Sequence, residues 1–233
     1  MVSEGYYFGL PPFVAGLLAL GMGGRNGIIV GSVLVVLALF VFAFFRNPER
    51  TIPVGDGLIV SPADGRVVIV KQEQLAGRSG KRVSIFLAVW NVHVNRSPAA
   101  GTIVNLEYKP GKFVAAWAES ASLENEQNVF TLGTEHGDLQ FKQIAGYVAR
   151  RVVSWKKAGE QLERGERIGL MRFGSRMDVW LPDNADVIVK VGDTVKGGSS
   201  ILARITEAAG LRATGANLTE RSSQKIGEEG RSA

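Results

Sequence analysis

The chain has 233 residues, enough for one sizeable domain with an appendage, and its 27 Lys and Arg against 22 Asp and Glu give a formal charge of +5. The absence of cysteine excludes disulfides, thiolate nucleophiles and Cys-ligated zinc, and two histidines alone, His93 and His136, exclude a multi-histidine metal site, so no metal is expected. The positive excess suits an anionic lipid surface, whereas no dense Lys/Arg run interleaved with aromatics points to nucleic acid.

The first 45 residues differ in kind from the rest. Tyr6 to Gly23 and Gly27 to Phe45 are uncharged runs of 18 and 19 residues, each near the length that crosses a bilayer core. They predict a membrane-anchoring helical hairpin over residues 1–45, with the first arm either transmembrane or re-entrant because it carries Pro11, Pro12 and many glycines. The opening MVSEGYY lacks a basic segment and no small-residue cleavage site follows, which argues against a signal peptide. Arg46 and Arg50 follow the second run, against a single Arg25 in the hairpin loop. The positive-inside rule therefore puts the remainder on the cytoplasmic side of the cell (inner) membrane.

After residue 50 come short apolar runs broken by Gly, Pro, Asp and Asn: 57–60, 65–71, 83–89, 101–108, 139–144, 148–155, 168–181, 187–191 and 201–205. Such spacing, with no long amphipathic helix between the runs, predicts a mostly antiparallel β domain over 46–206. Residues 119–130 read as helix or loop. AGEQLERGERIGL (158–170) and VGDTVKGGSSILA (191–203) form an internal repeat 33 residues apart, matching Gly159, Leu162, Gly165 and Ile168 to Gly192, Val195, Gly198 and Ile201. Such turn-and-strand units resemble those of lipoyl- and biotinyl-like sandwiches, so a β-sandwich or barrel-sandwich is expected. Residues 207–233 are polar and rich in Gly and Ser, and read as a disordered tail.

Three polar residues sit where a strand pattern would not choose them. Asp64 lies in SPADG, where Pro62, Asp64 and Gly65 also make good turn chemistry. His93 lies in VWNVHVNRSP, on one face with Asn91 and Asn95. Ser175 lies in MRFGSRMDVWLP, which reads as a half-buried strand in which Met171, Phe173, Met177, Val179 and Leu181 form an apolar face and Arg172, Arg176 and Asp178 a solvated opposite one. Ser175 falls on the apolar face, beside Gly174, which weakens a strand interior. A serine hydroxyl needs a base, and His93 oriented by Asp64 is a candidate. His136, in TEHGD at an apparent hairpin tip, is a weaker one.

FFRNPER (44–50), SPADGRV (61–67), VHVNRSP (92–98), QIAG followed by ARR (143–151) and FGSRMDVWLP (173–182) resemble, in that order, phosphatidylserine decarboxylase proenzymes of the short prokaryotic type. The resemblance implies that Ser175 attacks the carbonyl of Gly174, and that the resulting ester undergoes β-elimination and hydrolysis with loss of ammonia. A β chain of 1–174 would then pair with an α chain of 175–233 that begins with a pyruvoyl group, the covalent cofactor. Asp64, His93 and Ser175 match the family's self-processing triad. The ketone would form a Schiff base with the amine of phosphatidylserine, draw electrons as carbon dioxide leaves, and yield phosphatidylethanolamine, with His93 as proton donor. The implied partners are a phospholipid in the membrane and the two cleaved chains as a heterodimer; assembly into a homo-oligomer stays open. Longer members carry a second histidine where this chain has Trp90, so that residue's role does not transfer. Two other readings remain at this point: a membrane-anchored serine hydrolase using the same three residues, though Ser175 lacks a G-x-S-x-G elbow, and a non-catalytic adaptor built on a lipoyl-like sandwich.

Overall fold

The computed structural model describes residues 1–75, 77–147, 151–172 and 174–205. It opens with two helices, α1 (Ser3–Gly21) and α2 (Gly24–Phe44), joined by a turn in which Gly23 and Gly24 take positive φ. They pack along their small residues. Gly5, Gly9 and Gly16 of α1 and Gly31 and Ala38 of α2 are buried; a Cβ at Gly9 would strike the Phe42 ring, and one at Gly16 would press on the Gly31 carbonyl. Large apolar side chains such as Tyr7, Leu18, Val33 and Val36 point outward. Among the described helices, α2 alone is long and apolar enough to cross a membrane, with a mean hydropathy of 2.9 over its most apolar stretch.

The rest is mostly β, as expected: β1 (Leu58–Val60), β2 (Gly65–Leu75), β3 (Arg78–Leu87), β4 (Val94–Arg96), β5 (Gly101–Lys109), a short α3 (Ala121–Glu124), β6 (Gln127–Thr134), β7 (Gly137–Ile144), β8 (Val152–Ser154), β9 (Gln161–Leu162), β10 (Arg167–Met171), β11 (Ser175–Pro182), β12 (Ala185–Val187), β13 (Thr194–Val195) and β14 (Ile201–Ile205). One large antiparallel sheet runs β13-β2-β3-β11-β7-β6-β5-β9, and two small ones run β1-β14-β12 and β4-β10-β8. Val67, Ile85, Phe130, Phe141, Met177, Val179 and Leu181 from the large sheet pack against Ile59, Ile168 and Leu202 from the small ones in a single core. Phe130 and Phe141 are cross-strand partners whose rings stack at 4.8 Å.

Both copies of the repeat adopt the same turns. Gly159 and Gly165 take φ of 89° and 76°, and their counterparts Gly192 and Gly198 take 100° and 78°, a left-handed conformation that a side chain would oppose. Each copy leads through a two-residue strand, β9 or β13, into a five-residue strand, β10 or β14.

Two expectations need correction. The run 168–181 is not one strand: β10 pairs with β4 and β8, whereas β11 pairs with β3 and β7, so the chain changes sheets between Met171 and Ser175. Nor does β11 present a solvated polar face. It lies in the middle of the large sheet with residues 175–181 all buried, Arg176 and Asp178 included, because the chain around residues 116–122 covers its second face. Of the expected run 148–155, residues 148–150 lie outside the described residues, as does the expected tail 207–233.

The helical hairpin is seated on the β structure. Val2, Phe44 and Phe45 form an apolar cluster with Val92, Val94 and Leu170. Arg46 straps the base of α2 down by donating to the carbonyls of Ala43 and Trp90, both at 2.7 Å.

Candidate active site

Ser175 is the first residue of β11 and follows the change of sheets directly. Gly174 makes that change with φ at 64°, which a β-carbon would resist. Its carbonyl oxygen lies against the Cα of Gly146, just after β7: a Cβ built at position 146 would stand 1.6 Å from that oxygen and 3.3 Å from the Ala116 side chain. The carbonyl thus lies against a residue with no side chain, with the small Ala116 side chain next to it. The Ser175 side chain is fully buried, and its Oγ has no hydrogen-bond partner among the described residues. Buried hydroxyls are nearly always partnered, so an orphan in the middle of a β-sheet calls for an explanation.

His93 reaches the same region from another sheet. It immediately precedes β4, and its carbonyl accepts from the Met171 N–H, four residues upstream of Ser175, at 3.2 Å. Its Nδ1–H donates to the Asn91 carbonyl at 2.9 Å, which leaves Nε2 as the bare nitrogen; Nε2 is buried and also lacks a partner. The ring lies against Phe44 with centroids 4.2 Å apart. Burial holds the imidazole down to a pKa of about 4, opposed by the bond to Asn91 and aided by the charge of Arg46. At neutral pH it is therefore uncharged and able to accept a proton.

Asp64 stands in the turn between β1 and β2. Its carboxylate takes two bonds from Arg50, at 2.8 and 2.9 Å, and one from the Gly197 N–H at 2.8 Å. Arg66, two residues on, and Arg176 both pair with Phe86, from opposite sides of β3. Asp64 and Ser175 therefore lie near the same end of the large sheet, two strand spacings or about 10 Å apart. His93 is tied to the chain at Met171, four residues before Ser175, with no hydrogen bond between Ser175 Oγ and His93 Nε2, and the Asp64 carboxylate bonds to Arg50 and Gly197 rather than to the imidazole. His136 lies elsewhere, its Nε2 3.0 Å from Asp56.

The face of β11 opposite the apolar core carries a cluster that the sequence pattern concealed. Arg176 makes a two-pronged ion pair with Asp178, at 2.6 and 2.9 Å, and donates to the carbonyl of Ala118 at 2.8 Å. Asp178 also accepts from Ser122 and pairs with Arg82. Burial raises the Asp178 carboxyl, but the bonds and charge of Arg176, joined by Ser122, outweigh it and hold the group below its ordinary value. Asn125 staples the adjoining loop by donating to the carbonyls of Val114 and Ala145. Gln143 ties the large sheet to the small one through Asn95 and Val153. Gly146 was visible as the end of the QIAG stretch, but nothing local in the sequence assigned it a neighbour; the ion cluster had no signal beyond charged residues at strand spacing.

The arrangement suits chemistry on the chain itself: a buried hydroxyl beside a glycine carbonyl, and an uncharged imidazole nearby. Residues 37–203 match the family model for phosphatidylserine decarboxylase. The chain is similar to phosphatidylserine decarboxylase proenzymes from Symbiobacterium thermophilum (46% identity, covering 84% of this chain and 94% of the relative), Solibacter usitatus (47%, covering 88% and 96%) and Pelobacter propionicus (42%, covering 83% and 94%).

Proposed function

The chain belongs to the phosphatidylserine decarboxylase family and decarboxylates phosphatidylserine to phosphatidylethanolamine; we propose that it does so through a pyruvoyl group made from its own Ser175. The observation that carries this reading is that Ser175 Oγ, next to the Gly174 carbonyl, and His93 Nε2 are both among the buried side-chain atoms without a hydrogen-bond partner, one a proton donor and the other an acceptor. A buried donor and acceptor left without partners carry a desolvation cost, and a catalytic role explains why they are kept.

In the proposed processing, His93 Nε2 takes the Ser175 hydroxyl proton as Oγ bonds to the Gly174 carbonyl carbon. The Gly174–Ser175 C–N bond breaks, the nitrogen gains a proton, and an ester replaces the amide. Removal of the Ser175 α-proton then breaks the Cβ–O bond and releases Gly174 as a carboxylate. The remaining dehydroalanine takes up water and loses ammonia, leaving a ketone at the new N-terminus of the 175–233 chain. The site fits that group: Ser175 is fully buried, Gly146 and Ala116 beside it carry no bulk, and among the described residues no side chain hydrogen-bonds to the Gly174 carbonyl. The ketone supplies an electrophile for the substrate amine and a sink for the electron pair left when carbon dioxide departs. His93, uncharged and shielded by Phe44, is placed to take a proton on Nε2 from the substrate ammonium and to return it after carbon dioxide leaves. Asp64 acts at the same end of the sheet, where its bonds to Arg50 and Gly197 fix the 61–65 turn.

The α2 helix associates the enzyme with a membrane, and we assign the catalytic part to the cytoplasmic side from Arg46 and Arg50. Residues 1–45 act as the anchor and 46–206 as the self-cleaving domain, giving an α and β heterodimer. Lipid analysis of cells expressing wild type or Ser175→Ala tests the reading. The wild type converts phosphatidylserine to phosphatidylethanolamine and migrates as two chains, whereas the variant stays uncut and inactive. A variant that retained turnover would refute it.

A further inference from the structure

Among the described residues four arginines stand beside the candidate site residues, and three have hydrogen-bond partners; Arg50 is bound to Asp64. Arg176 is bound to Asp178 and the Ala118 carbonyl, and Arg46 to the carbonyls of Ala43 and Trp90. Arg172 differs. It is half-buried, its Nε is enclosed without a hydrogen-bond acceptor, and no carboxylate among the described residues pairs with it; its guanidinium lies 5.1 Å above the Phe8 ring. Arg172 lines a groove together with Phe8 and Pro12 of α1, Leu37 and Val41 of α2, and Phe45.

The level of the groove matters. At 21 residues α2 is about 31 Å long, the thickness of a hydrocarbon core. Phe45 ends it, so a membrane crossed by α2 has its phosphates near that level, while Val41 and Leu37 of the groove lie one and two turns deeper along α2. An unpartnered cation lining an apolar groove complements one occupant, a phosphate carrying a hydrocarbon tail. Arg172 is also three residues before Ser175, a span of at most about 11 Å. In phosphatidylserine only an oxygen and two carbons separate phosphorus from the amine nitrogen.

Resting on the function proposed above, we infer that Arg172 and the α1/α2 groove form the phospholipid subsite, with Arg172 binding the phosphate and the groove taking the start of an acyl chain. The hairpin is then part of the substrate site as well as an anchor. The test is equilibrium binding to the full-length Ser175→Ala chain in detergent, which needs no turnover. The probes are dihexanoyl phosphatidate, which has phosphate and chains, and dihexanoylglycerol, which has chains alone. Adding Arg172→Met should weaken phosphatidate binding roughly ten- to a hundredfold, the worth of a charge-assisted hydrogen-bond pair. It should leave dihexanoylglycerol unchanged, and Arg172→Lys should recover most of the loss. Equal phosphatidate binding with and without Arg172, an equal loss for both probes, or no binding of either probe by the parent would overturn the inference. Failure of the function itself would show separately, as wild-type protein that makes no phosphatidylethanolamine.

Discussion

At the scale of single residues, the reaction depends on which groups are kept dry and which are kept small. His93 is uncharged in the fold because its pKa lies at about 4 rather than 6.5. Unfolded chain takes up a proton at this residue below pH 6.5 and folded chain does not. Its contribution is therefore full above pH 6.5 and is lost as pH falls towards 4, by about 3 kcal/mol in all. The rate of self-cleavage should follow the same base: level from pH 8 to about 5, then falling with a midpoint near 4. A midpoint near 6.5, read from quench-flow gels, would mean that His93 is solvated or is not the base. Gly146 is the second such residue. A methyl group there meets the Gly174 carbonyl, which is backbone and cannot swing aside. Gly146→Ala should therefore fold yet leave the chain largely uncut, and a variant cleaved at the wild-type rate would show that the carbonyl has freedom to move.

At the scale of elements, β11 combines two functions. Its N-terminal end presents the scissile bond, and its middle is fixed by the ion pair of Arg176 and Asp178 and by Ser122. Breaking a buried pair leaves an uncompensated charge, so Asp178→Asn should cost about 3–5 kcal/mol in denaturant melts of the uncut Ser175→Ala chain. A loss under about 1 kcal/mol would mean that the Glu119 carboxylate, which pairs with Lys71 and Arg82, takes over Arg176. The strands were legible because they are short, alternate in hydrophobicity and are punctuated by glycine; the repeat was legible because both copies need left-handed glycines at the same two places. The buried charges were not, because strand alternation assigns a residue to a face and says nothing about what covers that face. Arg176 and Asp178 share one with Arg172 in the pattern, yet the chain around residues 116–122 covers only the former pair. The meeting of Gly146 with Gly174, and of Phe44 with His93, likewise joins residues far apart in sequence through sheet order, which no local pattern encodes.

At the scale of the whole molecule, the hairpin and the β structure act on one another. Phe44 ends the apolar helix and shields His93, so membrane docking and imidazole basicity share a residue. Phe44→Ala should admit water to the ring and raise the midpoint of the cleavage profile by about one unit, without disturbing the sheet. An unchanged midpoint would mean that other residues of the cluster keep the imidazole dry. The central claim, that the bond between Gly174 and Ser175 is consumed to make the cofactor, is tested most directly by intact-mass analysis of the purified active enzyme under denaturing conditions. The account requires two chains, the smaller having the mass of residues 175–233 with a ketone in place of its terminal amine. A single uncut chain carrying an unmodified serine at 175, in a preparation that makes phosphatidylethanolamine, would contradict it.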